Sequence, residues 1–380
     1  MAGNKIKWQL IEALRQTPGG AARKQLCGQT GFSWGGVCKA AEELVAAGWL
    51  RGVKCPSATP GRPEIRLTFA DAGPLTAGLD LGAVKWRFEI RDLAGRVLRR
   101  REERACARGG GFPAAAADFT ARHLRGSGMK ERIIALGIAV SGRIDSRRGV
   151  ILSAGNQGVP PGSCLPLGSL VERTCGLPAL LLPAQAAALW AEYGFGKHAG
   201  AANLILIHMG MGISAALLTE NRLQLGRPAH PAGHIGHIHL PGNTRPCNCG
   251  LTGCIETVAG CQALRRDAAG RGLPENMAEL NALALAGNRD AGELFREAAS
   301  AVCAGAAPLI QLHAPEAVIF SGGQCREESF FYREVLRCLK GSLHREEQPP
   351  LELSSLDDFS AALGAARYAL EGKVRGTGLD

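Results

Sequence analysis

Residues 79–91 read LDLGAVKWRFEIR. Apolar residues at 86, 88 and 90 alternate with charged residues at 87, 89 and 91, a period of two that predicts a strand with one buried face. Gly82 marks a turn before this strand, and residues 92–95 form the turn that leads to its partner. A helix around Ala114–Leu124 and a third strand at Ile133–Val140 follow. The same order returns around the glycine turn at 210–212, so we expect two α/β lobes joined near residue 190.

Composition excludes several classes of protein. The chain has 380 residues, of which 46% are hydrophobic and 21% charged, so it can bury a core and its length suggests two to three domains. The longest apolar runs are too short for a membrane span, and no apolar signal core follows Met1–Lys7. Thirteen cysteines without a framework spacing are typical of reduced thiols. We therefore expect a cytoplasmic protein without a membrane partner.

The first 72 residues differ from the rest in charge and pattern. Residues 1–70 contain ten Lys or Arg against four Asp or Glu, which is +6 of the net charge of +10. Residues 6, 10, 11 and 14 have helical spacing, a second helix is expected from Ala21 to about Gly28–Gly31, and a third after Ser33, an N-cap. Strands at 49–51 and 65–67 complete a hairpin. This order predicts a winged helix-turn-helix domain, residues 1–72.

In that plan the helix that begins at Ser33 enters the major groove of double-stranded DNA. Trp34 and Lys39 are its candidate contacts, and Arg62, between Gly and Pro, suits a minor groove. Gly35 and Gly36 each cost about 1 kcal/mol of helix stability, so we expect the helix to order only on DNA or to read few bases. A module that binds another protein is the alternative.

Three cysteines predict a metal site. Cys247, Cys249 and Cys254 lie within eight residues, in a segment interrupted by glycines. Three thiolates with one imidazole give a closed, structural zinc site. His234, His237 and His239 are the available imidazoles nearby, and three unpaired thiols or a disulfide are the alternatives to zinc.

Several motifs together resemble the ROK family (repressors, open reading frames and sugar kinases). They are the segments 80–85, 137–145, 210–212, 233–237, 247–256 and 321–323, and the resemblance covers residues 5 to 370. It implies an actin-like (ribonuclease H-like) two-lobe fold with a sugar in the cleft. The first lobe would be 73–190, completed by a helix at about 360–380, and the second 191–359. The resemblance also implies that His237 is the fourth zinc ligand.

The resemblance further implies that catalysis is lost. Kinases of the family have an Asn-Asp pair whose Asp is the general base, and here Pro183 and Ala184 occupy those positions. A methyl group accepts no proton, and Gln185 is expected to point away. The second phosphate loop is also altered, at positions 211, 214 and 216. We therefore predict no catalytic residues; a kinase that uses Asp145 or Glu192 as its base is the alternative.

The sugar-binding positions are only partly retained. Asn156, His237 and Glu256 match the resemblance, whereas His234 replaces the family's glutamate. His234 and Arg143 are expected to be cationic partners of an anionic or modified sugar, and an empty cleft is equally consistent with the sequence.

These observations favour a DNA-binding transcriptional regulator, a repressor of carbohydrate-related genes. It would bind a double-stranded operator as a homodimer or homotetramer, because two half-sites need a two-fold pair of recognition helices. An effector in the cleft would change lobe closure. The alternatives are an ATP-dependent sugar kinase and a zinc-stabilised protein-interaction scaffold.

Overall fold

The computed structural model describes residues 2–55, 63–227, 230–344, 346 and 348–376. It has the predicted fold class, with two five-stranded sheets and an amino-terminal helical module. The predicted domain boundaries at residues 72, 190 and 359 stay a prediction. Within these ranges no helix combines the length and the apolar character needed to cross a bilayer.

The amino-terminal module consists of three helices and a three-stranded sheet. The elements are α1 (Ala2–Arg15), β1 (Ala21–Ala22), α2 (Arg23–Thr30), α3 (Trp34–Ala46), β2 (Leu50–Cys55) and β3 (Glu64–Phe69). The sequence placed Ala21 in the second helix, which is wrong. Ala21 instead pairs with Leu67 of β3, so two residues are taken into the sheet before α2 begins. The helix then ends before Gly31, whose φ of 71° forms the C-cap.

The first large sheet contains the alternating segment of residues 79–91. Its elements and those around it are β4 (Leu75–Leu81), β5 (Lys85–Asp92), β6 (Val97–Arg104), α4 (Phe112–Arg125), β7 (Ile133–Val140), β8 (Arg143–Asp145), β9 (Val150–Ser153), α5 (Leu167–Cys175), β10 (Ala179–Pro183) and α6 (Ala184–Phe195). Trp86 and Phe88 are fully buried against α4, where Trp86 meets Phe112 and Phe119 edge to face. The predicted strand is therefore confirmed, but the expectation of a single buried face is wrong, because Glu89 and Arg91 on the charged face are also buried and pair with each other.

The second large sheet repeats the topology of the first. Its elements and those around it are β11 (Leu204–Met209), β12 (Ile213–Thr219), β13 (Arg222–Leu223), β14 (Gly226–Arg227), β15 (His230–Pro231), α7 (Glu256–Ala259), α8 (Cys261–Gly270), α9 (Met277–Leu285), α10 (Arg289–His313), β16 (Ala317–Ser321), α11 (Phe330–Ser342), β17 (Leu351–Leu353) and α12 (Ser360–Arg375). The orders are β10-β7-β4-β5-β6 and β13-β12-β11-β16-β17. In both sheets an antiparallel meander is extended by two parallel strands, so the repeated order in the sequence corresponds to a repeated lobe.

Helix α12 joins the two halves because glycines let it approach other backbones closely. A Cβ on Gly78 of β4 would lie 2.0 Å from the carbonyl oxygen of Ala362, and one on Gly364 would lie 1.7 Å from that of Ala187. Only glycine fits at both points. Helix α12 is thus held between the first sheet and α6, and its first residues line the space between the sheets.

The amino-terminal module is held to the middle of α12 by buried charges. Glu12 of α1 accepts hydrogen bonds from Arg15 Nη1 (2.5 Å) and Arg367 Nη2 (2.6 Å). Arg15 also donates to the carbonyl oxygen of Leu93 (2.7 Å). The guanidinium of Arg367 stacks 4.0 Å from the ring centroid of Trp190. The cluster therefore links α1, α6, α12 and the first sheet.

Candidate functional site: a cleft between the sheets and a cysteine–histidine cluster

A cavity of about 640 Å³ lies between the two large sheets. Its walls come from the carboxyl ends of β4 and β11, the start of β5, the loop before β12, and the segment between β17 and α12. In α/β sheets, ligands bind beyond the carboxyl ends of the strands. This cavity is therefore the candidate ligand site.

Ala184, which the resemblance places at the position of the family's base, lies on the cavity wall. Strand β10 ends at Pro183 and α6 begins at Ala184, so the methyl group of Ala184 lines the cavity. Gln185 lines it as well, and the prediction that Gln185 points away is wrong. The first turn of α6 faces the cleft, and Gln185 is only 7% exposed.

The two replacement bases considered from the sequence have other partners. Asp145 Oδ1 accepts the backbone N–H of Arg148 (3.1 Å), as a turn residue does. Glu192 accepts a hydrogen bond from Ser354 Oγ, and burial raises its pKa. Among the described residues, neither carboxylate belongs to the cavity lining.

The five predicted ligand-binding residues are all brought to the cavity wall. They are Arg143, Asn156, His234, His237 and Glu256. Glu256 Oε2 accepts the backbone N–H of Ile213 (3.0 Å), which fixes the carboxylate against the start of β12. Burial raises the pKa of Glu256, while His237 acts to lower it.

His234 is a neutral group in this cleft. Burial lowers its pKa to about 4, and the neighbouring His237 and Arg143 act in the same direction. The expectation of a cationic His234 is therefore wrong, because desolvation and two nearby nitrogen groups disfavour the imidazolium. The ring stacks on that of His237 with 5.9 Å between centroids. It can offer one donor and one acceptor to a ligand.

In the second phosphate loop, two backbone N–H groups already donate hydrogen bonds to other groups of the protein. The N–H of Gly210 donates to the carbonyl oxygen of Gly212 (3.0 Å), and the N–H of Ile213 goes to Glu256. Gln324 Nε2 donates to the carbonyl oxygen of Gly210 (2.7 Å) and thereby ties this loop to the one after β16. A loop that binds phosphate needs these N–H groups free.

Sequence reasoning missed two polar residues of this half of the cleft, Gln324 and His208. His208 Nδ1 lies 3.2 Å from Ser321 Oγ, and burial lowers the pKa of His208 to about 4. His208 lies in a strand that is otherwise apolar. Its role as a cavity residue becomes visible only in the structure, where the end of β11 reaches the cavity. Gln324 directly follows the motif at 321–323, which could have indicated it, whereas no local motif indicates His208.

The segment 80–85, which resembles the family's first phosphate loop, has a guanidinium beside its acidic residue. Asp80, at the end of β4, pairs with Arg87 Nη1 at 3.0 Å. Burial raises the pKa of Asp80 to about 6, although Arg87 acts to lower it. The alternation in the sequence predicted only that Arg87 lies on the polar face of a strand.

The three cysteines meet one imidazole. Ligand atoms of His237, Cys247, Cys249 and Cys254 all lie within 4.8 Å of one another. The Cys247 Sγ to His237 Nδ1 and Cys249 Sγ to Cys254 Sγ distances are both 3.6 Å. Ligands about 2.0–2.3 Å from a tetrahedral metal have similar separations, so the group fits a zinc-sized ion.

The surroundings of this cluster select its imidazole and disfavour free thiolates. His239 turns away, with its Nδ1 3.4 Å from the carbonyl oxygen of Thr252, so His237 is the imidazole that approaches the thiols. Burial raises the pKa of the Cys247 and Cys254 thiols. Bringing three thiolates together here therefore requires a compensating cation.

The predicted DNA contacts lie on one exposed end of α3. Ser33 Oγ accepts the N–H of Gly36 (3.4 Å), Trp34 is 58% exposed, and Lys39 is exposed. A Cβ on Gly36 would lie 3.0 Å from Ile6 of α1, which explains a small residue there. The helix runs from Trp34 to Ala46, and the expectation that it orders only on DNA or reads few bases stays a prediction. Arg62 lies outside the described residues.

A family model described as the ROK family matches residues 76–371. The chain belongs to the ROK family. The resemblance identified from the cysteine and glycine motifs is thereby confirmed, and residues before 76 lie outside the family match.

Individual ROK proteins include both kinases and a regulator. A glucokinase of Streptomyces coelicolor is 30% identical over 78% of this chain and 98% of its own length. A ROK hexokinase from Thermus thermophilus is 31% identical, with a TM-score of 0.65, and covers 79% of this chain and 99% of its own.

A second solved structure extends over the amino-terminal module as well. A ROK family transcriptional regulator, described as a homologue of the E. coli MLC protein, has a TM-score of 0.81 over 99% of this chain and 97% of its own. At 23% identity this similarity establishes the fold over the whole chain.

Proposed function

We propose that this ROK protein is a DNA-binding transcriptional regulator, a repressor of carbohydrate-related genes, with a sugar-kinase-like body that does not catalyse phosphoryl transfer. The observation that carries the proposal is the pairing of an amino-terminal module of winged-helix order with Ala184 at the position of the base. The two kinases compared cover only 78–79% of the chain, so the module is an addition to a kinase-sized body.

The surface of the module supports contact with DNA. Trp34 and Lys39 project from the exposed side of α3, next to the capped first turn. Glu42 and Glu43 also lie on this side, so α3 itself carries few cations. Phosphate contacts would then come largely from neighbouring elements, such as Lys24 of α2 and Lys54 of β2, both exposed.

The cleft supports loss of catalysis and retention of a small polar ligand. General-base catalysis contributes roughly 10²–10⁴-fold to a reaction, and Ala184 cannot supply it. Arg143, Asn156, His237, Glu256 and neutral His234 nevertheless surround one end of the cavity. This set suits the hydroxyl groups of a sugar or a sugar derivative. We propose such a compound as the effector.

The four-residue cluster is proposed to hold a structural zinc ion. Its four ligands would leave no open position for water, so the ion would supply rigidity rather than a nucleophile. Glu256 lies two residues after Cys254, and His237 would be a ligand itself. The residues His237 and Cys247–Cys254 would thereby fix two sugar-binding side chains at the cavity wall.

The test is DNA binding in a salt series with fragments of the protein's own promoter region. We expect selective binding that weakens steeply with salt, because phosphate contacts release counterions. Lys39→Ala should weaken binding of every fragment and reduce the salt slope by about one. Lys340→Ala, an exposed lysine at the end of α11, is the matched control and should change neither. Retardation of no fragment at low salt would contradict the proposal.

The relatives favour one second candidate, an ATP-dependent sugar kinase, because the Streptomyces coelicolor glucokinase is 30% identical to this chain. Turnover of ATP with a panel of hexoses and amino sugars separates the two functions. We expect none from the wild-type chain, and sugar-dependent turnover would refute the inactive body.

A further inference from the structure

Helix α6 begins at the cavity wall. Ala184, Gln185 and Ala188 line the cavity, and the first turn of the helix contains no acidic residue. Pro183, the N-cap residue, has no side-chain group that could accept a hydrogen bond from the backbone of this turn. The first N–H groups of a helix lack partners within the helix, and the helix dipole makes this end partly positive. The first turn of α6 therefore offers hydrogen-bond donors and a positive potential to the cleft.

Gln185 is a separate observation that points to a ligand at the same place. The residue is 7% exposed, so it is more than nine-tenths buried, and it lines the cavity. Within the described part of the chain, its amide has no hydrogen-bond partner. The amide atoms are not enclosed by other protein atoms either, so they stay open to the cavity. Since a buried amide needs a partner, the partner of Gln185 has to come from the contents of the cavity.

Two other glutamines near the ends of the strands are used by the fold itself. Gln157 Nε2 donates to the carbonyl oxygen of Leu81, at the end of β4 (2.6 Å). Gln324 Nε2 donates to that of Gly210, just after β11 (2.7 Å). Each of these amides connects two segments that are distant in sequence. Gln185 makes no such connection among the described residues, so a structural role does not account for its position.

Three of the acidic residues that line the cavity are already paired with arginines. Asp80 and Asp358 lie 3.0 Å and 3.4 Å from different nitrogens of Arg87. Asp357 pairs with Arg100. An arginine beside a carboxylate offsets its negative charge, so these groups add little repulsion towards an anion at the first turn of α6.

A cation lies beside this turn. Pro183 of β10 pairs with Val140 of β7 in parallel register, so the chain leaves both strands at the same edge of the sheet. Arg143 comes three residues after Val140 and begins β8, which packs against β10. Arg143 also lines the cavity. One guanidinium and the first turn of α6 therefore belong to the same end of the cleft.

We propose that the first turn of α6, together with Gln185 and Arg143, binds an oxyanion, and that the effector is a sugar derivative with a phosphate or carboxylate group. The inference rests on the proposed function, in which the cleft binds an effector and transfers no phosphoryl group. The backbone N–H groups and the amide of Gln185 donate to the oxyanion, and Arg143 supplies a full positive charge. Gln185 is thereby the residue that selects a charged over a neutral sugar.

The test compares sugars that differ in the charge of one group. The wild-type chain, loaded with zinc, is titrated by calorimetry with a panel of hexoses and amino sugars, their 6-phosphates, the corresponding uronates and inorganic phosphate. We expect at least one charged sugar to bind about tenfold or more tightly than its neutral parent, because charge-assisted hydrogen bonds are stronger than neutral ones. The 6-phosphates and the uronates show whether the preferred group is a phosphate or a carboxylate.

Two variants of Gln185 locate the subsite. Gln185→Ala removes the amide and should reduce the advantage of the charged sugar several-fold. Gln185→Glu keeps the shape but adds a negative charge, and it should abolish that advantage. Gln311→Ala, at an exposed position on α10, is the matched control and should bind as the wild type does. Gln185→Met, of similar length but without an amide, replaces either variant that does not fold.

The proposal is overturned if every charged sugar binds no more tightly than its neutral parent. It is also overturned if both variants of Gln185 retain the full advantage seen in Gln311→Ala. If no sugar of the panel binds, inorganic phosphate decides: binding that Gln185→Glu abolishes supports the subsite, and absence of binding overturns it. DNA retardation by the wild type is measured in parallel, so failure of the proposed function appears in the DNA assay and failure of this inference in the calorimetry.

Discussion

Replacing Glu12 by glutamine tests the contact between the amino-terminal module and α12. Glu12 Oε1 and Oε2 each accept one guanidinium, from Arg15 at 2.5 Å and Arg367 at 2.6 Å. The side chains of Arg15 and Arg367 are only 8% and 1% exposed. Burial acts to raise the pKa of Glu12, but the two arginines outweigh it and leave the pKa lowered. A neutral amide would leave two buried guanidinium groups without their carboxylate.

The magnitude follows from burial. Removing one partner of a buried ion pair costs about 3–5 kcal/mol, because the remaining charge is left uncompensated. Glu12 itself is 17% exposed, so we expect a value near the lower end, about 3 kcal/mol. Glu43, on the same module, pairs with Lys7, and these two side chains are 45% and 25% exposed. Its change to glutamine should cost far less stability, because water and salt screen an exposed ion pair.

The assay is urea unfolding followed by circular dichroism, with hydrogen exchange of residues 2–15 as a local readout. Glu12→Gln should lower the free energy of unfolding by about 2 kcal/mol or more beyond Glu43→Gln, and exchange in α1 should accelerate. Because the pKa of Glu12 is lowered by folding, its contribution is present at neutral pH and is lost as the pH falls through the folded-state pKa. If Glu12→Gln and Glu43→Gln lower the free energy of unfolding equally at pH 7, the assigned role of the buried cluster is refuted.

Three further predictions concern the cleft, the metal cluster and the helix between the lobes. Folding lowers the pKa of His208 to about 4, so the free energy of unfolding should fall as the pH drops from about 6.5 towards 4. Urea midpoints measured across this pH range should decline less in His208→Asn than in the wild type. An equal decline in both proteins would contradict the prediction. Metal analysis should find about one zinc per wild-type chain and much less in Cys254→Ser; equal contents would exclude a cysteine-bound ion. Gly364→Ala forces a Cβ to 1.7 Å from the carbonyl oxygen of Ala187 and should cost about 1–3 kcal/mol in thermal unfolding. Its control, Gly341→Ala, meets nothing within 4 Å and should be neutral or slightly stabilising.

Features that depend only on residues close together in the sequence were predicted correctly. Alternation over Lys85–Asp92 predicted a strand, and Ser33 was identified as an N-cap that the structure has. The spacing of Cys247, Cys249 and Cys254 likewise predicted the cluster, because a short glycine-containing loop can hold all three thiols. These features are local, so a few residues of sequence suffice.

Features that depend on packing were missed or misread. Gln185 was expected to point away, yet the direction of α6 turns it into the cavity. His234 was expected to be cationic, yet burial between two elements makes it neutral. A residue's neighbours in space determine its solvation and its pKa, and periodicity contains no information about them.

The sequence by itself predicted the fold class and the family, because the glycine and cysteine motifs are local patterns of residue type and spacing. The resemblance that these motifs carry also places Ala184 at the position of the family's base, and the spacing offers Cys247, Cys249 and Cys254 as metal ligands; both stay predictions. The tertiary structure alone decided which charges meet. Arg87 reaches Asp358 across 271 positions, and Arg367 reaches Glu12 across 355. Those contacts depend on strand register and on how closely the glycines let α12 approach the first sheet. Both are properties of the packed chain, because only packing brings distant segments within hydrogen-bonding distance.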